Sequence, residues 1–197
     1  MQAEKLNLIE APGASVATRN NLLEGASVFG VFTAVCIGPD GEVKWEEVFK
    51  NLVMNAGKQD LLNKYFTGSS YTAAWYLGLV NGSSTPTYNA ADTSGSHSGW
   101  TEFTAYSQST RPAVSFSAAT SSGGGAGSAG TGSITNSSSP SAFSINGSGG
   151  TVAGAFLISN NVISGTTGTL FSAGNFTTGS RTVLAGDTLN VTYTANC

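Results

Sequence analysis

The sequence predicts a mainly β protein: an antiparallel β-sandwich or barrel-like domain with one short helical region and an extended N-terminal arm. Several short apolar stretches are separated by turn residues, and only one region has helical spacing. Charged residues make up only 10% of the chain, against about 25% in an average globular protein, and 26 glycines take much of their place. Together these observations indicate a β-rich protein with many turns.

The N-terminal arm is predicted for residues 1–27, which have mixed polarity and no steady period. Leu6, Leu8 and Ile9 are its candidate attachment points. The arm lacks a basic start followed by an apolar run, so no secretory signal is predicted. No stretch of the chain reaches the roughly 18 consecutive apolar residues of a membrane span. Residues 28–197 are then expected to form a single β-rich domain.

The domain begins with a predicted strand. Residues 28–37, VFGVFTAVCI, are β-branched and aromatic, and the sequence GPDG at 38–41 predicts a type I turn after them. Five later stretches also predict strands: 73–82, 111–118, 151–160, 166–176 and 188–195. In the last of these, Leu189, Val191 and Tyr193 share one face, as in a half-buried antiparallel strand.

One helical region is predicted near residues 45–66. Its apolar side chains recur at the i, i+3, i+4, i+7 and i+8 spacing of an amphipathic helix: Trp45, Val48, Phe49, Leu52 and Val53. Residues 43–49 also show a two-residue alternation, so a strand is the alternative for the beginning of the region. After Gly57, a second short stripe over residues 61–66 continues the helical pattern, which Gly68 ends.

Residues 119–141, ATSSGGGAGSAGTGSITNSSSPS, are of low complexity and nearly free of apolar side chains. Such a segment buries too little surface to offset its ordering entropy. We therefore expect a long mobile loop between strands, which orders only against a neighbouring subunit.

The stretch DTSGSHSGW, residues 92–100, holds the chain's one histidine together with the residue types of a hydrolase. A Ser-His-Asp triad needs a hydrogen-bonded relay beside an oxyanion hole, and its members usually come from separate segments. Asp92, Ser96 and His97 instead lie in one Gly/Ser loop, without a G-x-S-x-G nucleophile motif. We expect a turn in which Asp92 and His97 bond to backbone groups, and no catalysis.

No cofactor or metal site is predicted. The chain has one histidine and two cysteines without a Cys-x-x-Cys pair, too few ligands for a zinc site. Cys36 is expected to be a buried thiol and Cys197 a free one. The glycine-rich residues 123–130 lack the following lysine of a phosphate loop. A net charge of −3 without a basic patch argues against direct nucleic-acid binding.

The three tryptophans, Trp45, Trp75 and Trp100, admit two interpretations. They could form a platform for sugar rings, but large aromatic side chains more often anchor a core or a protein interface. We predict the second role and keep a hydrolase or carbohydrate-binding module as the alternative from a different functional class.

Five stretches carry a resemblance to a known family: FKNLVMNAGKQDLLNKYF, YTAAWYLGLVNG, SHSGWTEFTAYSQSTRP, VAGAFLISN and GDTLNVTYTA. They are similar to small virion proteins of tailed bacteriophages. The resemblance spans roughly residues 28–195. Its most specific part is H-x-G-W-T-E-x-T-x-Y-S-x-x-T-R-P at residues 97–112, which we call the central motif.

The resemblance implies a non-enzymatic virion protein with a β-sandwich core and no cofactor. The first hypothesis is a capsid decoration (cement) protein, which binds and stabilises major capsid protein subunits. Such a protein would also form dimers or trimers with its own copies. The alternative is a tail component (fibre, tube or adaptor) or a host-glycan-binding module. The protein would be made in the host bacterial cytoplasm and reside in the virion, on the capsid surface for a decoration protein, without binding nucleic acid or membrane.

The resemblance also gives the central motif physical roles. Trp100 would anchor a core or an interface, and His97 would brace the loop. Glu102 and Arg111 are candidates for an ion pair between the loop and the following strand, whose start Pro112 would fix. The alternative is that both side chains are solvated, in which case an exposed pair would contribute only about 0–1 kcal/mol. The structural or interface candidates are therefore Trp45, Trp75, His97, Trp100, Glu102 and Arg111.

Overall fold

The computed structural model describes residues 27–70, 74–125 and 128–197. This part of the chain contains twelve strands and one helix. They are β1 Phe29–Ile37, β2 Val43–Lys50, β3 Leu52–Val53, α1 Asn55–Phe66, β4 Tyr76–Asn81, β5 Glu102–Phe103, β6 Thr120–Gly125, β7 Ser128–Thr135, β8 Ser141–Ser144, β9 Gly150–Ile158, β10 Leu170–Asn175, β11 Arg181–Val183 and β12 Thr188–Asn196. The protein is mainly β, as predicted.

The strands form two antiparallel sheets. Sheet A has the order β2-β1-β12-β7-β6, and β8 also pairs with β12. Sheet B has the order β3-β10-β9-β4-β5, and β11 also pairs with β9. β1 pairs with β12 along its whole length, from Phe29 opposite Asn196 to Ile37 opposite Thr188. The first and last strands of the described chain therefore lie side by side within sheet A.

The main hydrophobic core lies between the two sheets. β1 and β12 alternate buried and partly exposed residues, the pattern of strands with one face on a core. The ring of Phe32 lies 5.2 Å from that of Phe49 and 4.7 Å from that of Tyr193, centroid to centroid. Leu77 and Leu157 belong to the same cluster from sheet B. This arrangement confirms the sandwich-like fold.

Sheet B is buried on both faces, because a second apolar cluster covers its outer face. From Val152 onward every residue of β9 is buried. The second cluster joins Phe156 and Ile158 of β9 to Trp100, which lies in the long connection between β4 and β5. The continuous apolar sequence of β9 fits this double burial. The covering connection contains the start of the central motif.

The region predicted as helical near residues 45–66 divides into strands and a helix. Its beginning, Val43–Lys50, is β2, so the strand alternative is confirmed and the helical interpretation of this half is wrong. β2 pairs with β1 and buries Phe49 on the core, which a two-residue alternation allows. The helix itself spans Asn55–Phe66, and Gly57 is its one buried residue.

Four of the five later strand predictions are confirmed, as β4, β9, β10 and β12. The prediction of a strand at residues 111–118 is wrong. In the described structure Ala113 forms only an isolated bridge with Tyr76. Pro112 has no N–H to donate to a ladder, so a regular strand is unfavourable at this point.

Most of the expected loop at residues 119–141 is instead a β-hairpin. β6 and β7 pair antiparallel, and β7 continues onto β12 through residues 133–135. Ladder hydrogen bonds use only backbone groups, so small side chains suffice once β12 offers an edge. Residues 126–127 and the predicted arm up to residue 26 lie outside the described residues, so the arm stays a prediction.

Candidate functional site

The central motif borders a cavity of about 270 Å³ on the outer face of sheet B. Four of the six candidate residues line this cavity: His97, Trp100, Glu102 and Arg111. Phe156 and Ile158 of β9 line it from the sheet, and residues 164–166 close it from the connection between β9 and β10. The structure thus brings together four residues that are spread over positions 97–111 of the sequence.

Glu102 and Arg111 form the predicted ion pair. Arg111 Nε donates to Glu102 Oε1 at 2.8 Å, and Nη2 donates to Oε2 at 2.9 Å. The arginine and glutamate side chains are only 3% and 5% exposed, respectively. A bidentate geometry of this kind is among the strongest side-chain contacts. Because both charges are removed from water, the loss of either partner would leave the other uncompensated.

The ion pair also holds the connection between β9 and β10. Arg111 Nη1 donates to the carbonyl of Asn160 at 2.9 Å, and the guanidinium lies 5.2 Å from the ring centroid of Phe156. The backbone N–H of Ser164 donates to Glu102 Oε2 at 2.6 Å. Ser164 has a φ of 56°, a left-handed conformation that is uncommon outside glycine. This cluster therefore fixes two loops against sheet B.

His97 braces the loop through Trp100. Its Nδ1 donates to the Trp100 carbonyl at 3.1 Å, and the two rings stack with centroids 4.0 Å apart. Asp92 Oδ2 accepts hydrogen bonds from Trp100 Nε1 and from the backbone N–H of Asn89, both at 3.1 Å. Trp100 itself is buried in the second cluster. Asp92 and His97 thus both hold Trp100 in place, the first by a hydrogen bond to its indole and the second by a hydrogen bond to its carbonyl and by ring stacking.

The serines of the same stretch also serve the backbone. The Ser94 hydroxyl donates to two carbonyls of the connection between β9 and β10. Ser96 and Thr93 pair through their backbones in a tight turn. Among the described residues, no hydrogen bond joins the side chains of Asp92, Ser96 and His97 to one another. The arrangement favours a structural turn over a catalytic relay.

Searches of protein-family models, of curated proteins and of solved structures found no match for this chain. The resemblance to virion proteins of tailed bacteriophages therefore stays a prediction.

Trp45 and Trp75 lie apart from the central motif. Trp45 packs edge to face on Phe176 and Trp75 on Phe171, each with ring centroids 5.5 Å apart. Both tryptophans are half-buried at the margin of the main core, whereas Trp100 belongs to the second cluster. The three tryptophans thus do not share the single surface that a sugar-binding platform would need.

A polar cluster at the start of β12 was missed by sequence reasoning. The buried Asp187 Oδ2 accepts from Lys44 Nζ at 2.6 Å and from the backbone N–H of Leu184 at 2.8 Å. Burial opposes ionisation, but the Leu184 amide and the Lys44 ammonium outweigh it and lower the pKa of the Asp187 carboxyl. The hydrogen bond from Lys44 to Asp187 raises the pKa of the ammonium. A lone aspartate in a turn gives no sequence signal of a partner 143 residues away.

Both thiols are free, with Cys36 buried and Cys197 exposed, as predicted. Burial, followed by the charge of Asp187, raises the pKa of the Cys36 thiol to about 11. This thiol is therefore protonated and inert at neutral pH. The described part of the chain contains no group of three or more His, Cys, Asp or Glu side chains placed to hold a metal ion. Within the same part, no helix is long and apolar enough to cross a membrane.

Helix α1 carries an exposed apolar surface, which we define as Leu62, Tyr65 and Phe66. These side chains are 54%, 81% and 74% exposed, respectively. The helix contacts β10 through Gly57, where an added Cβ would lie 2.7 Å from the Phe171 carbonyl oxygen. This close approach occurs in the first turn. In the later turns all four apolar side chains of the 61–66 stripe are exposed: Leu61, Leu62, Tyr65 and Phe66.

Proposed function

We propose that this protein is a non-enzymatic structural protein of a bacteriophage virion, a capsid decoration protein that binds major capsid protein subunits and stabilises the shell. The proposal joins the resemblance carried by the central motif to one structural observation. That observation is the exposed apolar surface of α1.

The α1 surface supports a binding function. A protein that stays alone in water rarely exposes several large apolar side chains side by side, and such patches mark interaction sites. Leu62 and Phe66 lie one turn apart on the helix, and Tyr65 and Phe66 contact each other edge to face at 5.0 Å. Aromatic side chains commonly supply much of the binding energy at protein interfaces.

The central motif is the second feature that supports a structural role. Its charged and polar side chains bond to one another and to backbone carbonyls, so they fix two loops on sheet B. A rigid scaffold of this kind suits a protein that transmits load between shell subunits, because it resists local opening.

The first experiment tests the effect on the particle. Capsids stripped of the protein should release their contents at a lower temperature than complete capsids, and adding the purified protein back should restore the original temperature. Fluorescence of a DNA-binding dye during heating measures the release. Identical release temperatures would contradict the decoration function.

The second experiment tests the α1 surface. The double substitution Leu62→Ser and Phe66→Ser should weaken binding to stripped capsids roughly 100-fold or more, since each buried apolar side chain contributes about 1.5–3 kcal/mol. Co-sedimentation at graded protein concentrations measures the affinity. Leu184→Ser is the matched control, because Leu184 is also 54% exposed and lies outside the helix. Equal losses for both variants would argue against this surface.

The position of the protein in the particle decides between head and tail. An electron-microscopy reconstruction together with quantitative mass spectrometry should place it on the capsid lattice at a copy number set by that lattice. Density confined to the tail would favour the fibre, tube or adaptor alternative.

A further inference from the structure

The sequence Asn-Gly-Ser occurs twice in the chain, at residues 81–83 and 146–148. In such a sequence the backbone nitrogen of the glycine can attack the side-chain amide of the preceding asparagine, because glycine has no Cβ to hinder the approach. The attack needs an asparagine side chain that can turn toward the backbone and a glycine N–H without a hydrogen bond. The tertiary structure therefore decides which of the two asparagines reacts.

Asn81, the last residue of β4, has both of its reacting groups engaged. Its Oδ1 accepts a hydrogen bond from the backbone N–H of Ser83 at 2.9 Å. The N–H of Gly82 donates to the carbonyl of Thr151 at 2.8 Å. An added Cβ at Gly82 would lie 2.8 Å from Ser180 Oγ, so this glycine is closely packed. Attack on Asn81 thus requires two hydrogen bonds to break in a packed part of the molecule.

Asn146 begins the turn between β8 and β9, and its reacting groups are unengaged. Its backbone carbonyl accepts a hydrogen bond from the N–H of Gly149 at 3.0 Å. Among the described residues, neither the Asn146 side chain nor the Gly147 N–H forms a hydrogen bond. Both residues are exposed, and no atom lies within 4 Å of a Cβ built at Gly147. The two reacting groups can therefore meet without any local opening of the fold.

We propose that Asn146 is a site of spontaneous deamidation in the folded protein, whereas Asn81 is protected. The Gly147 nitrogen forms a bond to Cγ of Asn146, and the bond from Cγ to Nδ2 breaks. Ammonia leaves with the proton of the Gly147 N–H, and a succinimide ring remains. Water, the only co-reactant, then adds to one of the two ring carbonyl carbons and opens the ring to aspartate or to isoaspartate.

The modification changes both the charge and the backbone of this turn. Residues 112–180 contain no Asp, Glu, Lys or Arg, so the new carboxylate is an isolated charge in this part of the chain. Isoaspartate also adds one carbon atom to the main chain, in a turn that connects sheet A to sheet B. The extra atom lies between two anchored groups, because the Asn146 N–H donates to the carbonyl of Ala105 at 3.1 Å and its own carbonyl accepts from Gly149. Isoaspartate should therefore loosen the connection between the sheets.

The experiment follows both asparagines in the full-length protein during prolonged incubation at neutral and mildly alkaline pH. Mass spectrometry of chymotryptic peptides measures the conversion. In the folded protein Asn146 should convert roughly tenfold or more faster than Asn81, because only Asn81 must first lose two hydrogen bonds. The rate should rise with pH, since the attacking species is the deprotonated amide. In denaturant the two asparagines have the same neighbours and should convert at similar rates.

Asn146→Gln is the matched variant, because glutamine keeps the amide but closes the corresponding ring far more slowly. It should show no conversion at position 146. After incubation, the unmodified protein should contain isoaspartate and unfold at a lower temperature than before, whereas the unfolding temperature of Asn146→Gln should not change. Asn146→Asp, which supplies the charge without the added carbon atom, should initially unfold at the original temperature.

Two results would overturn the proposal. One is equal conversion of Asn81 and Asn146 in the folded protein. The other is a folded protein in which Asn146 stays intact under conditions where the denatured protein converts it. Neither result bears on capsid binding, so this proposal and the proposed function fail separately.

Discussion

Glu102 and Arg111 determine how two long loops lie on sheet B. Their hydrogen bonds connect β5, residue 111 and the connection between β9 and β10, at a place where the surroundings are apolar. A buried ion pair adds little net stability compared with a well-packed apolar pair, because both charges lose their hydration. Its effect is on specificity: only one loop arrangement satisfies both charges.

Removing one partner of this ion pair should therefore destabilise the protein more than removing both charges. Arg111→Met should lower the free energy of unfolding by about 3–5 kcal/mol, because Glu102 is left buried without a counter-charge. Adding Glu102→Gln should recover part of this loss. Denaturant-induced unfolding measures both values. Lys64→Met is the control, since its pairing with Asp60 spans 3.7 Å and is partly exposed to water, and such pairs contribute about 0–1 kcal/mol. A loss below about 1 kcal/mol for Arg111→Met would contradict the assignment.

At the scale of elements, one stretch of sequence can fit both the helical and the strand periodicity. The neighbouring strand with which it can pair then decides which structure forms. Residues 43–50 fit both a helical stripe and a strand alternation. β1 offers a full ladder beside them, so they form β2. The hairpin of β6 and β7 follows the same logic, because β12 supplies the edge that a Gly- and Ser-rich segment lacks on its own.

Helix α1 approaches the backbone of β10 very closely at Gly57, and this gives a prediction. Gly57→Ala should destabilise the protein by about 1–3 kcal/mol, although alanine favours a helix, because the new methyl group meets the backbone of Phe171. Thermal unfolding followed by circular dichroism measures the loss. Lys58→Ala, one position along on an exposed site, is the control and should be nearly neutral. A stabilised Gly57→Ala variant would show that the helix does not pack as described.

At the scale of the whole molecule, the described part of the protein is two sheets with two buried layers of apolar side chains. The main core fills the space between the sheets, and the second cluster lies under the loops on the outer face of sheet B. Asp187 adds a polar connection across distant parts of the chain. It joins Cys36 at the end of β1, Lys44 at the start of β2 and the turn before β12.

This connection makes stability depend on pH in a definite direction. The pKa of Asp187 is lowered in the folded protein relative to an unfolded value of about 3.9. Its contribution is therefore complete above about pH 4 and is lost as the pH falls through the lower folded value. Asp187→Asn should be less stable at pH 7, and the difference from the unmodified protein should shrink as the pH falls below about 4.

Denaturant unfolding at a series of pH values measures this difference. Glu46→Gln, which removes an exposed carboxyl from β2, serves as the control and should leave the stability at pH 7 unchanged. A difference between Asp187→Asn and the unmodified protein that stays constant from pH 7 to pH 3 would contradict the assigned role of Asp187.

Local patterns in the sequence suffice for the fold class and for much of the candidate site. The alternation of Leu189, Val191 and Tyr193 identifies a strand with one buried face, and all three are fully buried. The pairing of Glu102 and Arg111 was an expectation from the family resemblance of the central motif, and the structure confirms the pair. These predictions succeed because the interacting groups lie close in sequence or repeat with the period of a strand.

Contacts between distant residues were decided by the tertiary structure alone. The sequence by itself determined a β-rich chain with a polar motif in its central loop, because composition and period are local properties. The pairing of β1 with β12, the partner of Asp187 and the exposure of the α1 surface depend on where separate segments meet. No local sequence pattern encodes these tertiary contacts, because each one results from the packing of all elements together.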